Sequence, residues 1–295
     1  MTEPTALTSQ ILIERPLPDP DGATDKNSRG RVLAIAGCAS VPGAALLAGT
    51  ASLRAGAGKI QLAVPRSIGT ILGAAFPECG ILMLDETEAG EPLATPAEPL
   101  TNALKKSDAI LIGPGLMEAA GATALVKGAL IAHPEGAFIL DALALCDILH
   151  YADVIRRHKG HVVLTPHHGE MAKLLGIEKD AIASAPLKYA RTTAQDLNCY
   201  VVLKSDTTYI ASPEGDAWEH KGGVIGLATA GSGDVLAGLI AGLLARGGDP
   251  VTACLWAVFL HGQAGRMLSD SVAPVGFLAR EIPGVIPGLM KQLVA

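Results

Sequence analysis

The chain has 295 residues, of which 49% are hydrophobic and only 3% aromatic, and its formal net charge is −6. This length can bury one large α/β core, and an apolar mass made mostly of aliphatic residues and glycine is typical of helices packed on a parallel sheet. The negative charge and the absence of a basic run argue against nucleic acid as a partner.

Three further features bear on location. The N-terminus lacks a basic segment followed by an apolar one, so no secretory signal is visible. The longest strongly apolar run, residues 235–245, is too short to span a bilayer. The five cysteines form no C-x-x-C pair, which favours reduced thiols. The sequence therefore predicts a soluble, cytoplasmic protein without a membrane partner.

Short apolar runs typical of β-strands alternate with helical segments along most of the chain. Residues 1–30 are rich in proline and polar residues, so we expect an extended arm there and one domain over residues 31–295. The predicted strands are Val32–Ala36, Lys59–Val64, Ile81–Leu84, Ala109–Ile112, Phe138–Asp141, Val162–Thr165, Tyr200–Lys204 and Thr207–Ala211. The helices predicted between them include Gly43–Ala55, Ala119–Ile131, His168–Leu175 and Pro186–Asn198.

This alternation predicts an α/β fold. Strands that are apolar on both faces indicate a central, mainly parallel sheet covered by helices on both sides. From Ser232 onwards the chain is predicted to be almost entirely helical.

Several predicted strands end in polar or glycine-rich segments. One leads into Gly113-Pro114-Gly115, another ends at Asp141, a third precedes His167 and Glu170, and a fourth ends at Lys204. In open parallel sheets, ligands bind at the carboxyl ends of the strands. These residues are therefore candidates for one shared binding crevice.

A glycine-rich turn carries the most informative signal. Small residues at 230–233 let backbone N–H groups face one point, and the helix predicted over Ser232–Ala245 adds the positive end of its dipole. This geometry attracts a phosphate. Asp234 lies in the first helical turn, where a carboxylate repels that phosphate. It is either a base that takes a proton from a hydroxyl beside the phosphate or a helix cap.

Other polar residues allow more than one interpretation. Lys204 either pairs with phosphate or is an ordinary residue at a strand end, and Asp141 is either a catalytic or metal-linked acid or a helix cap. Glu170 suits Mg²⁺, directly or through water, and also suits the first turn of a helix, whereas zinc is disfavoured here. His261 lies in an apolar helix, which indicates a core residue. No Walker A or G-x-G-x-x-G motif is present, so any nucleotide is bound by another device.

Taken together, these motifs resemble the ribokinase-like superfamily and, within it, the ADP-dependent NAD(P)H-hydrate dehydratases. The resemblance covers most of the chain from about residue 29. It is carried by RVLAIAG, VPGAALLAG, LRAGAG, DAILIGPGL, LTPHHGEMAKLLG, VVLKSDTTYIASPEG and ATAGSGDVLAGLIAGLLARG. The TPH-x-GEM and G-[ST]-GDVLAG strings are fairly specific when they occur in this order and spacing.

The resemblance implies a repair lyase. Its substrate would be NADH or NADPH hydrated on the reduced ring, and ADP or ATP with Mg²⁺ would drive loss of the ring hydroxyl. It implies Asp234 as the base near the substrate hydroxyl. The residues implied to bind the nucleotide are Lys204, Ser205, Asp206, Thr207, Thr208, Gly231, Ser232 and Gly233. Those implied to contact the hydrated cofactor are Ala44 or Ala45, Gly115, His167 and Asp234.

We also expect a homo-oligomer. The helix predicted over Gly43–Ala55 is apolar nearly all round, which indicates burial between subunits, and the resemblance suggests a tetramer.

The chain departs from the family's usual pattern in several places, and the early HKGD-like string reads Asp25-Lys26-Asn27-Ser28. Leu143 stands where the second acid of an LDADAL string is usual, Val224 and Ile225 replace Asn-Pro, and Ala230 replaces a glycine. Two alternatives stay open. One is a hydroxymethylpyrimidine or thiazole kinase of the same superfamily, and the other is a non-catalytic nucleotide-binding regulator. Asp234 argues against the regulator, because a pure binder gains nothing from an acid beside phosphate.

Overall fold

The computed structural model describes residues 3–19, 28–93 and 98–294. Its strands are β1 (Thr5–Ala6), β2 (Arg31–Ile35), β3 (Lys59–Pro65), β4 (Gly80–Leu84), β5 (Ala109–Ile112), β6 (Phe138–Leu140), β7 (Val162–Leu164), β8 (Tyr200–Leu203), β9 (Thr208–Ala211) and β10 (Ala217–His220). Its helices are α1 (Ser9–Glu14), α2 (Gly43–Arg54), α3 (Arg66–Ala75), α4 (Glu98–Lys105), α5 (Ala119–Ala132), α6 (Ala152–Arg156), α7 (His168–Leu175), α8 (Lys179–Ser184), α9 (Pro186–Leu197), α10 (Ser232–Ala245), α11 (Pro250–Ser271) and α12 (Ile282–Val294).

The strands form one sheet in the order β1-β10-β9-β8-β7-β6-β5-β2-β3-β4. Neighbouring strands run parallel, except that β9 is antiparallel to both β8 and β10. The sheet order reverses between β2 and β5, because the chain runs from β2 to β4 on one side and from β5 to β8 on the other. In parallel sheets a crevice opens beyond the carboxyl ends of the strands at such a point.

Both faces of the sheet are buried. Side chains alternate along β2, so that Val32 and Ala34 belong to one hydrophobic core and Leu33 and Ile35 to the other. The first core includes α2, α10 and α11, and the second includes α4, α5 and α9. This arrangement explains why the central strands are apolar on both sides.

Helix α10 packs closely on α2. A Cβ at Gly238 would lie 2.3 Å from the Ala48 carbonyl oxygen, and one at Gly242 would lie 2.3 Å from that of Ser52. The Ser52 hydroxyl also lies 3.0 Å from the Gly238 carbonyl oxygen. The apolar surface of α2 is thus largely covered within the same chain, which removes it as evidence for a subunit interface.

The structure confirms the predicted fold class and all eight predicted strands, each to within about a residue at either end. The helical C-terminal third is confirmed as well. The missed strand β10 has only four residues and includes the charged Glu219, so it offers no apolar run for a sequence to show. Among the described helices, none is long and apolar enough to cross a membrane.

The expectation of an extended N-terminal arm is wrong over much of its described part. Thr5–Ala6 pairs with β10, and Ser9–Glu14 is helical. Leu12 is fully buried, and the Trp256 Nε1 donates a hydrogen bond of 2.8 Å to the Arg15 carbonyl oxygen. Burial of apolar side chains such as Leu12 stabilises this helix, although the proline-rich composition of the segment predicts extended structure. Residues 20–27 of the expected arm lie outside the described residues, and one domain over residues 31–295 stays a prediction.

Candidate active site

Three consecutive parallel strands deliver polar side chains to one point. Asp141 follows β6, Thr165 follows β7 and Lys204 follows β8. The Asp141 Oδ1 accepts hydrogen bonds from the Thr165 Oγ1 at 2.6 Å and from the Lys204 Nζ at 2.8 Å. The backbone N–H of Lys204 also donates to the Pro166 carbonyl oxygen at 2.8 Å. The prediction that these strand ends share a crevice is therefore correct for Asp141 and Lys204.

Lys204 keeps its charge in this site. Burial lowers its pKa, but Asp141 and Glu170 oppose that effect, and the pKa ends above its ordinary value. The Glu170 Oε2 lies 3.8 Å from the Lys204 Nζ. A buried cation that is already paired on one side can still attract an anion on its other side.

The glycine-rich turn lies beside this lysine. Gly231 has a φ of +88°, and a Cβ there would lie 2.4 Å from the Leu47 Cδ1. A Cβ at Gly233 would lie 3.3 Å from the Lys204 Nζ. Glycine is thus required at Gly231 by both conformation and space. The start of α10 and the Lys204 ammonium present positive charge at one place, as a phosphate site needs.

Asp234 lies in the first turn of α10 but does not cap it, since Gly231 is the N-cap residue and no side chain caps this helix. Burial, together with the nearby Asp141 and Glu170 carboxylates and against the opposing effect of Lys204, raises the pKa of Asp234 to about 7. Over the described residues, no hydrogen-bond donor is paired with this carboxylate. The site therefore holds an acid that exchanges a proton near neutral pH.

The segment that begins α7 forms a capping box. The His167 Nδ1 accepts hydrogen bonds from the backbone N–H groups of Gly169 and Glu170, and the Glu170 Oε2 accepts one from the His167 backbone N–H at 2.7 Å. Glu170 thus has the helix role that the sequence left open. The neighbouring His168 side chain is less exposed, and the pKa of its ring is lowered by burial.

The donor set limits how Mg²⁺ can bind. No group of three His, Cys, Asp or Glu side chains suited to a metal exists among the described residues. One oxygen of Glu170 is already engaged, and Asp141 is paired with Lys204. Mg²⁺ keeps several waters and takes most other ligands from phosphates. These residues therefore fit a Mg²⁺ ion that is held by nucleotide phosphates and contacts Glu170 through water.

A cavity of about 650 Å³ opens on the turn. The predicted nucleotide residues that line it are Lys204, Ser205, Asp206, Thr208, Ser232 and Gly233. Gly231 and Thr207 do not line it; Gly231 shapes the turn, and the Thr207 carbonyl oxygen accepts a hydrogen bond of 2.6 Å from the Ser205 hydroxyl. We call these six lining residues the nucleotide side of the crevice.

The residues predicted to contact the hydrated cofactor do not lie together. His167 lines the cavity with the nucleotide side. Gly115 has a φ of +71°, and a Cβ there would lie 2.7 Å from the Ala44 Cβ and 3.1 Å from the Gly37 Cα. Ala45 is fully buried. Gly37, Ala44 and Gly115 do not line that cavity; they lie near the reversal of the sheet order between β2 and β5, and we call them the small-residue side of the crevice.

Sequence reasoning missed two contributors to the site. The sequence shows Thr165 only as the end of a predicted strand, and no local sequence pattern indicates its hydrogen bond to Asp141. His261, expected in the core, has its Nε2 3.1 Å from the Ser232 hydroxyl oxygen and lines the same cavity. A histidine in an otherwise apolar helix was the available signal for the second residue.

Comparison with known proteins agrees with this geometry. The family model described as NAD(P)H-hydrate dehydratase matches residues 32–287. An ADP-dependent (S)-NAD(P)H-hydrate dehydratase from Xanthomonas campestris is 46% identical over 97% of this chain and 96% of its own length. The chain belongs to the NAD(P)H-hydrate dehydratase family. The resemblance drawn from the motifs is thereby confirmed.

Two further relatives show how this chain compares with other family members in length and in fold. A bifunctional NAD(P)H-hydrate repair enzyme from Moorella thermoacetica is 36% identical over 94% of this chain, which spans only 52% of that relative. The crystal structure of the Bacillus subtilis ADP/ATP-dependent NAD(P)H-hydrate dehydratase, co-crystallised with ATP and Mg²⁺, has a TM-score of 0.82 and 28% identity. The match covers 99% of this chain and 100% of that one.

The described positions that depart from the usual pattern fall in three places. Val224 and Ile225 line the cavity, and Ile225 is 69% exposed at its rim. Leu143 lies in a short 3₁₀ turn, Ala142–Leu145, directly after Asp141. Ala230 lies in the turn that leads into α10. The departures therefore alter the rim of the nucleotide side, a neighbour of Asp141 and one residue of the turn, while Lys204, Gly231–Gly233 and Asp234 are retained.

Proposed function

We propose that this chain restores NADH or NADPH from the hydrated cofactor and consumes one ADP or ATP per turnover. Family membership supports this reaction, and so does the meeting of Lys204, the glycine-rich turn and Asp234 at one crevice. The observation that carries the proposal is the placement of Asp234 in the first turn of α10, directly after the glycine-rich turn and close enough to Lys204 to be influenced by its charge; its pKa there is raised to about 7. An acid that titrates near neutral pH is suited to accept a proton from a hydroxyl.

The proposed reaction has two steps. Asp234 takes the proton of the ring hydroxyl while the hydroxyl oxygen attacks the terminal phosphorus, so that ADP leaves as AMP or ATP leaves as ADP. The C–O bond of the phosphorylated ring then breaks and phosphate departs. Loss of a proton from the neighbouring ring carbon restores the double bond.

The remaining residues have binding roles in this proposal. Lys204 and the N–H groups of the Gly231–Gly233 turn bind the phosphates and stabilise the charge that develops during transfer. Ser205, Asp206, Thr207 and Thr208 contact the rest of the nucleotide. Mg²⁺, when bound, supplies positive charge to the phosphates, and Glu170 would hold it through water.

The hydrated cofactor is proposed to contact Ala44, Gly115, His167 and Asp234. At Gly115 the backbone packs closely on Ala44, and the absence of a side chain there would let a ring approach the backbone. His167 extends into the crevice from the other side, with 57% of its side chain exposed. Ala45, fully buried, would support this surface from behind.

The test is incubation of the protein with hydrated NADH, Mg²⁺ and either ADP or ATP. Return of reduced-nicotinamide absorbance, with one nucleotide consumed per molecule restored, is expected. Turnover without nucleotide, or none with either nucleotide, would contradict the proposal. Stable phosphorylation of a pyrimidine or thiazole alcohol would favour the kinase alternative, and nucleotide binding without any turnover would favour the regulator.

The assembly and location of the protein are further proposals. We propose a cytoplasmic homotetramer, on the resemblance alone now that α2 is accounted for within the chain. Light scattering at micromolar concentration should give four times the chain mass of 30.1 kDa. A monomeric mass would contradict it.

A further inference from the structure

His261 of α11 contacts the first residue of α10. Its Nε2 lies 3.1 Å from the Ser232 carbonyl oxygen and 3.1 Å from the Ser232 Oγ. Both residues line the cavity at the glycine-rich turn, and Ser232 is 5% exposed. One ring nitrogen thus connects α11 to the residue that precedes Gly233.

The distance to the carbonyl fixes the proton on the ring. A carbonyl oxygen can only accept a hydrogen bond, so Nε2 must be the protonated nitrogen. Burial, with a smaller contribution from the Lys204 charge and against the hydrogen bond to the Ser232 backbone, lowers the pKa of His261 to about 4. The ring is therefore neutral at physiological pH and has its single N–H at Nε2.

This assignment also fixes the role of the Ser232 hydroxyl. Because Nε2 is a donor, the hydroxyl oxygen can accept from it but cannot donate to it. In the part of the chain that the structure describes, no other protein atom accepts the hydroxyl proton. A buried hydroxyl needs an acceptor, and the open direction for this one is the cavity.

We propose that His261 is a positioning residue that directs the Ser232 hydroxyl proton towards a phosphate oxygen of the bound nucleotide. The nature of the ligand rests on the proposed function. A free serine hydroxyl rotates and presents either its proton or a lone pair. The His261 N–H occupies the lone-pair side, so the proton is already aimed at the anion before it binds. This lowers the cost of ordering the site when nucleotide enters.

The test compares the affinities of two ligands by calorimetry. ADP carries phosphates and adenosine carries none, so the ratio of their dissociation constants reports the phosphate contact alone. His261→Ala should weaken ADP binding about 10-fold, the usual effect of losing a hydrogen bond to a charged group. Adenosine affinity should stay within about 2-fold. A role in packing alone would lower the melting temperature and leave the ratio unchanged, which would overturn the proposal.

Two further variants keep the test decisive if His261→Ala folds poorly. His261→Gln places an amide N–H near the position of Nε2 and should restore most of the ratio. Ser232→Ala should reduce the ratio on its own, and adding His261→Ala to it should cause little further loss, because the two residues act through one hydroxyl. Additive losses, or no rescue by glutamine, would contradict the proposal. Ser232→Thr, which keeps the hydroxyl, is the matched control and should keep the ratio.

The readout separates this proposal from the proposed reaction, because it measures binding and not turnover. Wild-type protein that binds ADP but does not restore NADH would contradict the reaction and leave the His261 test intact. Wild-type protein that shows no preference for ADP over adenosine would overturn the His261 proposal itself.

Discussion

The two sides of the crevice are built in different ways. The nucleotide side has charged and polar side chains: Lys204 paired with Asp141, and Ser232 paired with His261. The small-residue side is closely packed backbone, where a Cβ at Gly115 would lie 2.7 Å from the Cβ of Ala44. In the proposed function, one side recognises a ligand by charge and the other by shape. Each side therefore responds to a different kind of substitution.

Asp234 lies on a helix that is connected to both sides. It is in the first turn of α10, whose next turns pack against α2, the helix that carries Ala44. Its carboxylate is also influenced by Lys204, Asp141 and Glu170 on the nucleotide side. A base in this position can reach a hydroxyl on one ligand and a phosphate on the other, so it should give the largest effect of any substitution.

The first prediction concerns Asp234→Asn. Asparagine keeps the shape but cannot accept a proton, and loss of a general base costs on the order of 100- to 10,000-fold in rate. ADP affinity should be equal or tighter, because a negative charge beside the phosphates is removed. Steady-state kinetics and calorimetry test both parts. In the wild type, kcat/KM should rise with pH through about 7, since the base works only when deprotonated.

Asp216→Asn is the matched control for this variant. Asp216 is exposed near a strand end, and its replacement should leave kcat unchanged. Near-normal turnover in Asp234→Asn would show that Asp234 is not the base.

The second prediction concerns Lys204→Met. Losing a charged hydrogen-bond partner of phosphate should weaken ADP binding by about 10- to 100-fold. Lys204 lowers the pKa of Asp234, so its loss should also move the acid limb of the activity profile to higher pH. KM for the hydrated cofactor should change little, because the small-residue side has no charge to lose.

Lys221→Met is the control for Lys204→Met, since Lys221 also pairs with a carboxylate, Glu219, but at an exposed position. It should leave ADP affinity and the pH profile unaltered. A pH profile that does not move in Lys204→Met would show that this lysine is not coupled to Asp234.

The sequence predicted the nucleotide side better than the small-residue side, for a physical reason. Strand ends, a glycine-rich turn and an acid in a first helical turn are local signals, so they pointed to Lys204, the turn and Asp234, and they placed Asp141 in the same crevice as Lys204. The hydrogen bonds between these residues and their partners were not predicted. Asp141 lies 63 positions from Lys204, and His261 lies 29 positions from Ser232. Their pairing depends on packing between elements, which no local pattern encodes.

The small-residue side shows the complementary limit. Ala44 and Gly115 carry no chemistry of their own, so only the family resemblance suggested them. Their contact depends on the reversal of the sheet order between β2 and β5 and on the close approach of α2. The eight predicted strands gave the fold class because both faces of the sheet are apolar, whereas the order of those strands was not readable from the pattern.

The third prediction concerns Gly115→Ala. The added methyl group meets the Ala44 Cβ and, at 2.9 Å, the Val41 carbonyl oxygen, so the surface must shift. KM for the hydrated cofactor should rise by about 10-fold, since a displacement of about 1 Å can cost more than that. ADP affinity should stay the same. Separate titrations of the two ligands check this contrast.

Gly176→Ala separates strain from contact. Gly176 has a φ of +66° with nothing within 4 Å of an added Cβ. Both variants should lose about 1 kcal/mol of unfolding free energy from the left-handed backbone, but only Gly115→Ala should change KM. Equal kinetics in the two variants would mean that the small-residue side does not contact the cofactor.

The smallest expected effect is that of Ser52→Ala, which probes the contact that joins the two sides. The Ser52 hydroxyl lies 2.9 Å from the Ala48 carbonyl oxygen of its own helix and 3.0 Å from the Gly238 carbonyl oxygen of α10. Removing it should lower the free energy of unfolding by about 1 kcal/mol. Ser271→Ala is the control, because Ser271 lies at an exposed position and its hydroxyl bonds the Met267 carbonyl oxygen of its own helix, α11. Denaturant unfolding should detect a loss of unfolding free energy in Ser52→Ala and almost none in Ser271→Ala.

The kinetic constants of Ser52→Ala should not change, since alanine fits the same close approach of α2 and α10. A rise in KM for the hydrated cofactor in Ser52→Ala would instead mean that this one hydrogen bond sets the distance between Asp234 and the small-residue side.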